Sequence, residues 1–256
     1  MTKITNIIML FKEFGEKEKP VIVFIHGGGL SYWMWQAQID ALKNDYRIIT
    51  PIVDGHGEDF EHTFESIGNC AEKIITYINE NCKGKVRAIC GLSLGAQITA
   101  EILSRESNIT EKALIESAMV IPSMETQRLT KPMVDMSYFL VNKRWFAKLQ
   151  AKQLLIPDSM FESYFEDTKK VTKQCLINFL LENSKYALPE SFKNTTADIV
   201  VLVGKKEYKV MKQSGEMIHK SAKNSKYIEF DNCGHGVSIQ FPLKYLEILE
   251  GLLSGR

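Results

Sequence analysis

Short apolar runs rich in β-branched residues alternate along the chain with longer segments whose apolar residues recur at helical spacing. The short runs predict strands at Ile7–Phe14, Val21–Ile25, Arg47–Pro51, Val86–Cys90, Ala113–Glu116, Ile199–Val203 and Tyr227–Phe230. The longer segments predict helices near residues 33–43, 67–82, 94–105, 208–222 and 242–253. Val21–Ile25 and Ile199–Val203 are apolar at every position, as expected of strands buried on both faces of a parallel sheet. The alternation predicts an α/β fold with crossover helices.

The alternation stops between about Pro122 and Pro189, where aromatic residues and methionines recur at helical spacing and no strand pattern is present. A helical stretch of this length between two strands of one sheet is typical of an inserted subdomain. We therefore expect residues 1–121 and 190–256 to form the α/β core. Residues 122–189 are expected to form a helical cap, or lid.

The pentapeptide Gly91–Gly95 (GLSLG) carries the strongest chemical signal. It follows the predicted strand Val86–Cys90 and opens a predicted helix, which is the context of a nucleophile elbow. The serine of such an elbow sits on a sharp turn with unfavourable backbone angles, so close packing requires glycine two residues away on either side. Ser93 is the predicted nucleophile.

A glycine-rich loop, His26–Gly29, follows the predicted strand Val21–Ile25. Free backbone N–H groups of such a loop can pair with the N–H of the residue after the nucleophile, here Leu94, to form an oxyanion hole. Gly28 is the favoured loop donor, with Gly29 next. We expect His26 to hold the loop in place.

A histidine and a carboxylate complete the predicted site. His235 follows the last predicted strand and is flanked by glycine, so it can reach the serine hydroxyl as a general base. Glu207 lies just beyond the end of Ile199–Val203, where a carboxylate can orient the imidazole and stabilise its charged form. Glu116, at the end of another predicted strand, is the alternative acid.

The composition and net charge of the chain argue against several classes of function. The 256 residues include 45% hydrophobic and 25% charged residues, and 32 Lys and Arg against 31 Asp and Glu give a net charge of +1. This balance argues against nucleic-acid binding and against a polybasic membrane surface, and no apolar run is long enough to span a bilayer. Five cysteines, an odd number in a chain of this size, indicate reduced thiols and a cytoplasmic location. No metal-ligand spacing is recognisable, so neither a metal nor a cofactor is expected.

These motifs, in this order along the chain, resemble the α/β-hydrolase family, particularly its smaller cap-bearing esterases. The resemblance implies a mostly parallel, eight-stranded sheet flanked by helices, with a helical cap inserted between strands 6 and 7. It also implies the chain order serine, acid, histidine, which Ser93, Glu207 and His235 follow. Glutamate replaces the more usual aspartate, which keeps the charge but lengthens the side chain.

The predicted activity is that of a serine hydrolase of carboxylesterase type, which cleaves a small or medium carboxylic ester, or a thioester, through an acyl-enzyme. The expected partner is thus a small-molecule ester. The residues expected to line its pocket are Gly29, Trp33, Met119, Met136, Trp145, Phe146 and Phe161. Two alternatives stay open: a C–C bond hydrolase or lyase that uses the basic residues Arg128, Lys131, Lys143 and Arg144, and a non-catalytic ligand-binding homologue.

Overall fold

The computed structural model of the chain describes residues 9–255. Its strands are β1 (Leu10–Phe14), β2 (Val21–Ile25), β3 (Arg47–Ile52), β4 (Val86–Leu92), β5 (Thr110–Glu116), β6 (Asp198–Gly204) and β7 (Ser225–Phe230). Its α-helices are α1 (Gln36–Leu42), α2 (Ile67–Asn81), α3 (Leu94–Arg105), α4 (Met124–Ser137), α5 (Arg144–Gln153), α6 (Phe161–Thr168), α7 (Lys173–Lys185), α8 (Lys209–Ser221), α9 (Val237–Gln240) and α10 (Pro242–Ser254). None of the helices within residues 9–255 has the length and apolar character needed to cross a bilayer.

The strands form a single seven-stranded sheet in the order β1-β3-β2-β4-β5-β6-β7. The edge strand β1 runs antiparallel to β3, and every other neighbouring pair is parallel. The predicted α/β class is therefore confirmed, and the predicted strands are present, although Ile7 and Ile8 lie outside the described residues.

The predicted count of eight strands is not confirmed within the described residues. Residues 9–255 form seven strands, and among these the helical insertion follows the fifth in chain order. The eighth strand was implied by the family resemblance alone, since each of the seven observed strands has its own apolar segment in the sequence.

The continuous apolar character of β2 reflects burial on both faces of the sheet. Val23 packs into one core with Ile74 of α2 and Ile98 of α3. Phe24, the next residue, packs into a second core that includes Ile39 of α1 and other residues of α1 and α10. Because successive side chains of a strand point to opposite faces, a central strand between two helical layers has no polar position.

The insertion between β5 and β6 consists of α4, α5, α6 and α7, joined by short turns. Helix α4 packs against α7, and α5 packs against α6. Ser123 caps α4 by accepting a hydrogen bond from the Thr126 N–H, and Thr172 caps α7 by accepting one from the Cys175 N–H. Such caps satisfy backbone donors that the first helical turn leaves free.

Candidate active site

Ser93 lies on a sharp turn between β4 and α3. Its backbone angles are φ 55° and ψ −115°, a region that non-glycine residues rarely occupy. A side chain on Gly91 would collide with the carbonyl oxygen of Gly95, and one on Gly95 would collide with the carbonyl oxygen of Ile25. The two glycines therefore allow the strand, the turn and the helix to pack closely with Ser93 in its strained conformation.

The glycine loop after β2 packs against this turn and is fixed by His26. The His26 Nε2 accepts a hydrogen bond from the Val53 N–H at 3.0 Å, so its Nδ1–H donates to the Gly27 carbonyl oxygen at 2.9 Å. His26 is fully buried, and this burial lowers its pKa to about 3. The imidazole is thus a neutral structural group that ties the loop to the end of β3.

The backbone N–H groups of Gly28 and Leu94 donate to no protein acceptor within residues 9–255. A Cβ atom on Gly28 would lie 3.6 Å from the Leu94 Cδ2 atom, so the loop and the start of α3 are in close contact. Leu94 is the first residue of α3, where free N–H groups and the helix dipole favour negative charge. Two unpaired donors at this junction suit an anionic oxygen.

His235 and Glu207 form a hydrogen-bonded pair. The His235 Nδ1 atom lies 3.1 Å from Glu207 Oε2, and the Glu207 side chain is only 3% exposed. Glu207 Oε1 also accepts hydrogen bonds from the Ser117 hydroxyl at 2.5 Å and from the Gly204 N–H at 3.1 Å. Because a carboxylate can only accept, the Nδ1 atom carries the proton and Nε2 is left able to accept one.

The dipeptide Glu116–Ser117, at the end of β5, connects the segments that carry all three predicted catalytic residues. The Glu116 carbonyl oxygen accepts from the Ser93 N–H at 2.9 Å, and its Oε1 accepts from the Ser238 N–H at 3.0 Å, just after His235. Ser117 adds the hydrogen bond to Glu207. Glu116, the alternative acid, therefore contacts the backbone beyond His235, whereas Glu207 contacts its imidazole.

Burial sets the charge states of two groups beside this arrangement. Glu116 is completely buried, which raises its pKa to about 7. Cys233, also buried, has a pKa raised to about 12 by desolvation, so its thiol stays protonated at neutral pH. The cysteine nearest in sequence to His235 is consequently a poor nucleophile.

A cavity of about 680 Å³ adjoins the glycine loop. Gly28 and Gly29 line it on the side of the sheet, while Leu129, Val134, Phe146 and Phe179 are among the residues that line it from the insertion. A second cavity, of about 470 Å³, is lined by Lys112, Asp198 and Ser225 at the opposite end of β5–β7 and is remote from Ser93. Of these two cavities only the first adjoins the predicted oxyanion loop, through Gly28 and Gly29, and neither Ser93 nor His235 is among its lining residues.

The predicted pocket residues divide into two groups. Gly29, Met119 and Phe146 line the cavity. Trp33, Met136, Trp145 and Phe161 do not line it. The Trp33 Nε1–H donates to Asp167 Oδ2 at 2.8 Å, and Phe161 packs in the core of the insertion, stacked on Phe165. Met136 and Trp145 are 75% and 62% exposed, because they lie on the outer faces of their helices.

Sequence reasoning missed several residues of the site. Ser117 directly follows a predicted strand at the edge that carries the other polar groups, and that position could have identified it. Phe179 belongs to an apolar helical pattern in the sequence, but the pattern does not reveal that the ring lies against Gly28. Val134 carries no signal at all, since a valine in an amphipathic helix is ordinarily part of the packing.

The sequence is similar to known proteins along most of its length. The model of the alpha/beta hydrolase family matches residues 22–247. The 3-oxoadipate enol-lactonase 1 of Acinetobacter baylyi is 22% identical over 93% of this chain and 90% of the relative. A monoacylglycerol lipase of Bos taurus is 21% identical over 92% of this chain and 76% of the relative.

Solved structures give the same fold. An esterase from Exiguobacterium antarcticum has a TM-score of 0.81 at 17% identity, over 96% of this chain and 95% of that chain. The enol-lactonase from Burkholderia xenovorans has a TM-score of 0.79 at 16% identity, over 96% of both chains. Since the family model spans most of the sequence, this chain belongs to the alpha/beta hydrolase family.

Proposed function

We propose that this hydrolase is a serine esterase that cleaves carboxylic esters through an acyl-enzyme. The observation that carries the proposal is the His235–Glu207 pair, held at the same sheet edge as the strained Ser93 turn, with an apolar cavity beside the glycine loop. Ser93 is the nucleophile, His235 the general base and Glu207 the group that orients it. The N–H groups of Gly28 and Leu94 form the oxyanion hole.

The proposed reaction has two halves. The Ser93 Oγ attacks the ester carbonyl carbon while its proton passes to His235 Nε2, and the carbonyl oxygen becomes an oxyanion. Collapse of this intermediate breaks the bond to the leaving alkoxide, which takes the proton from His235. Water then attacks the acyl-enzyme, gives its proton to His235, and releases the carboxylic acid as Ser93 regains its hydrogen.

The cavity favours an ester with an apolar acyl or alcohol group. Leu129, Val134, Phe146 and Phe179 surround it, and its size suits a small or medium substrate. In this proposal residues 122–189 are a cap over the site. The names of two relatives are consistent with it, since a lactone is a cyclic ester and a monoacylglycerol is an ester of glycerol. A cytoplasmic location belongs to the proposal and is supported by five free cysteines.

The basic residues that would serve a C–C bond hydrolase do not favour that alternative. Arg128, Lys131, Lys143 and Arg144 are all exposed, and none of them lines the cavity. Arg144 is paired with Glu162, and Lys131 with Asp135. A dicarboxylate substrate would find no cation within the cavity to neutralise it, whereas an uncharged ester needs none.

The test is turnover of p-nitrophenyl esters, thioesters and a vinylogous diketone by the wild-type protein and by Ser93→Ala. We expect ester hydrolysis by the wild type and a loss of about a thousandfold or more in the variant, because the nucleophile is removed. Ser221→Ala, on the outer part of α8, is the matched control and should keep full activity. A fluorophosphonate probe that labels any residue other than Ser93 would contradict the assignment, and tight ligand binding without turnover would favour the non-catalytic homologue.

A further inference from the structure

Exposed apolar side chains are concentrated in one part of the insertion. Residues 9–255 include thirteen exposed large hydrophobic side chains, and eight of them lie within residues 124–155, one-eighth of the chain. The eight are Met124, Leu129, Met133, Met136, Phe139, Trp145, Leu149 and Leu155. We call these eight residues, with the basic side chains between them, the α4–α5 surface. A concentration of exposed apolar side chains is typical of an interaction site.

Positive charge is concentrated in the same segment. Residues 124–155 contain six Lys and Arg against two Asp and Glu, a net charge of +4, while the whole chain carries +1 and the remainder therefore −3. Four of these cations are exposed and form no ion pair with any residue of the described range: Arg128, Lys143, Lys148 and Lys152. The near-neutral composition of the whole chain thus conceals a strongly basic region.

Helix α5 shows how the two features combine. Trp145, Lys148, Leu149 and Lys152 stand at positions i, i+3, i+4 and i+7, so they share one face of the helix, and all four are exposed. A helix face that mixes a tryptophan and a leucine with lysines is suited to the boundary between lipid headgroups and acyl chains. There the apolar side chains enter the bilayer and the lysines meet anionic headgroups.

The α4–α5 surface also includes part of the rim of the cavity. Leu129 and Met133 are 49% and 58% exposed, yet both line the cavity, so they stand at its mouth. On α5, Trp145 and Leu149 each directly precede a residue that lines the same cavity, Phe146 and Gln150. A molecule that leaves a lipid layer against this surface could therefore pass into the cavity without crossing bulk water.

We propose that the α4–α5 surface docks on an anionic lipid bilayer and that the ester substrate enters the cavity from that bilayer. The second clause rests on the proposed esterase function, whereas the first does not. The choice of partner follows from charge: residues 124–155 carry a net charge of +4, of which Arg144 is paired with Glu162 of α6, and they expose Trp, Phe, Leu and Met. This combination complements negatively charged headgroups over an apolar interior. In a symmetric dimer formed through this surface, two copies of a segment with net charge +4 would face each other, which disfavours a second copy as the occupant.

The test is co-sedimentation of the Ser93→Ala protein with vesicles of phosphatidylcholine alone and of equimolar phosphatidylcholine and phosphatidylglycerol. We expect binding to the mixed vesicles, weaker binding at higher salt, and little binding to phosphatidylcholine alone. The double variant Lys148→Gln/Lys152→Gln should weaken binding about tenfold or more. Its matched control, Lys209→Gln/Lys223→Gln, removes two exposed lysines elsewhere and should leave binding close to the parent value.

Tryptophan fluorescence tests the geometry directly. Trp145 is exposed, while Trp35 is buried in the sheet core and Trp33 is hydrogen-bonded to Asp167. We expect the emission to shift to shorter wavelength on mixed vesicles, and the shift to be absent in Trp145→Phe, which keeps an aromatic ring. The proposal would be overturned by equal binding to phosphatidylcholine and mixed vesicles, or by no binding to either. It would also be overturned if the protein self-associates and Trp145→Ala abolishes that self-association.

The binding experiment and the activity experiment test the two proposals independently. Because binding is measured on the Ser93→Ala protein, it does not depend on turnover. A negative result with vesicles leaves hydrolysis of water-soluble esters unaffected. Conversely, Lys148→Gln/Lys152→Gln with the native Ser93 should hydrolyse p-nitrophenyl acetate at the wild-type rate, which shows that the variant is folded.

Discussion

The edge of the sheet and the helical insertion meet at one cavity, but they are built on different principles. At the sheet edge, the groups that define the site are hydrogen-bonded: Glu207 accepts from Ser117, Gly204 and His235, and His26 is held at both ring nitrogens. In the insertion, the side chains that face the cavity are largely apolar, and the neighbouring ones are exposed. The sheet edge therefore fixes the geometry of reacting groups, while the insertion supplies shape and hydrophobic contact.

This difference predicts different consequences of substitution in the two regions. A buried hydrogen-bonded group has few tolerable replacements, because its loss leaves a partner without a hydrogen bond. An apolar wall tolerates changes in shape, and the changes alter which substrate fits. Substitutions at the sheet edge should therefore affect turnover of every ester, and substitutions in the insertion should affect some esters and not others.

The largest effect is expected from Glu207→Gln. The amide keeps the shape of the side chain but removes the charge that stabilises protonated His235, so kcat should fall by about a thousandfold or more for all esters. Steady-state kinetics with acetate and octanoate esters measure this fall in kcat. An unchanged thermal unfolding temperature would show that the variant is folded. Glu216→Gln, an exposed residue on α8, is the control. Retention of activity in Glu207→Gln together with its loss in Glu116→Gln would make Glu116 the acid.

A smaller effect, on stability and not on mechanism, is expected from Glu116→Gln. Burial raises the pKa of Glu116 from 4.5 to about 7, so the folded protein holds this proton over a range where the unfolded chain has released it. Wild-type stability should therefore fall as the pH rises from about 4.5 to about 7, by a contribution on the order of 3 kcal/mol, and the glutamine variant should lack that contribution.

Urea unfolding of both proteins at pH 5 and pH 8 measures this difference. The free energy of unfolding of Glu116→Gln minus that of the wild type should be larger at pH 8 than at pH 5. The amide oxygen of the variant can still accept a hydrogen bond from the Ser238 N–H. The same stability difference at both pH values would show that Glu116 does not titrate in this range. Glu216→Gln, which is exposed, should give no dependence on pH of this kind.

The contrast between the two regions also explains which features of the structure could be predicted from the sequence. Val21–Ile25 and Gly91–Gly95 could be recognised because backbone geometry restricts their residues: a central strand needs apolar side chains on both faces, and a sharp turn needs glycine. Helix positions in the insertion carry no such restriction. Trp145 and Phe146 are adjacent and both aromatic, yet one is exposed and the other lines the cavity, because the packing of neighbouring helices decides which face is covered.

Glu207 and Glu116 show a second limit of sequence reasoning. Both carboxylates are predicted from their position at the carboxyl end of a strand, at the same edge of the sheet. Position alone cannot decide which of the two contacts the histidine. What separates them is the path of the loop after β7, which brings the His235 imidazole to Glu207 and the Ser238 N–H to Glu116. Loop paths depend on contacts distant in sequence, such as the close approach of Gly236 to Leu92, and no local pattern encodes them.

The smallest effect, and the most selective, is expected from Val134→Phe in α4. Val134 is 4% exposed and lines the cavity, so a larger side chain takes space from the substrate without touching the groups at the sheet edge. The kcat/KM for an octanoate ester should fall about 10- to 200-fold, because losing room for one methylene group weakens binding by about 1–3 kcal/mol. The acetate ester should be hydrolysed as before, and Val134→Ala should retain or improve turnover of the longer ester. Equal losses for both esters in Val134→Phe would mean that the insertion also determines the geometry of the reacting groups, and the division of roles between the two regions would be wrong.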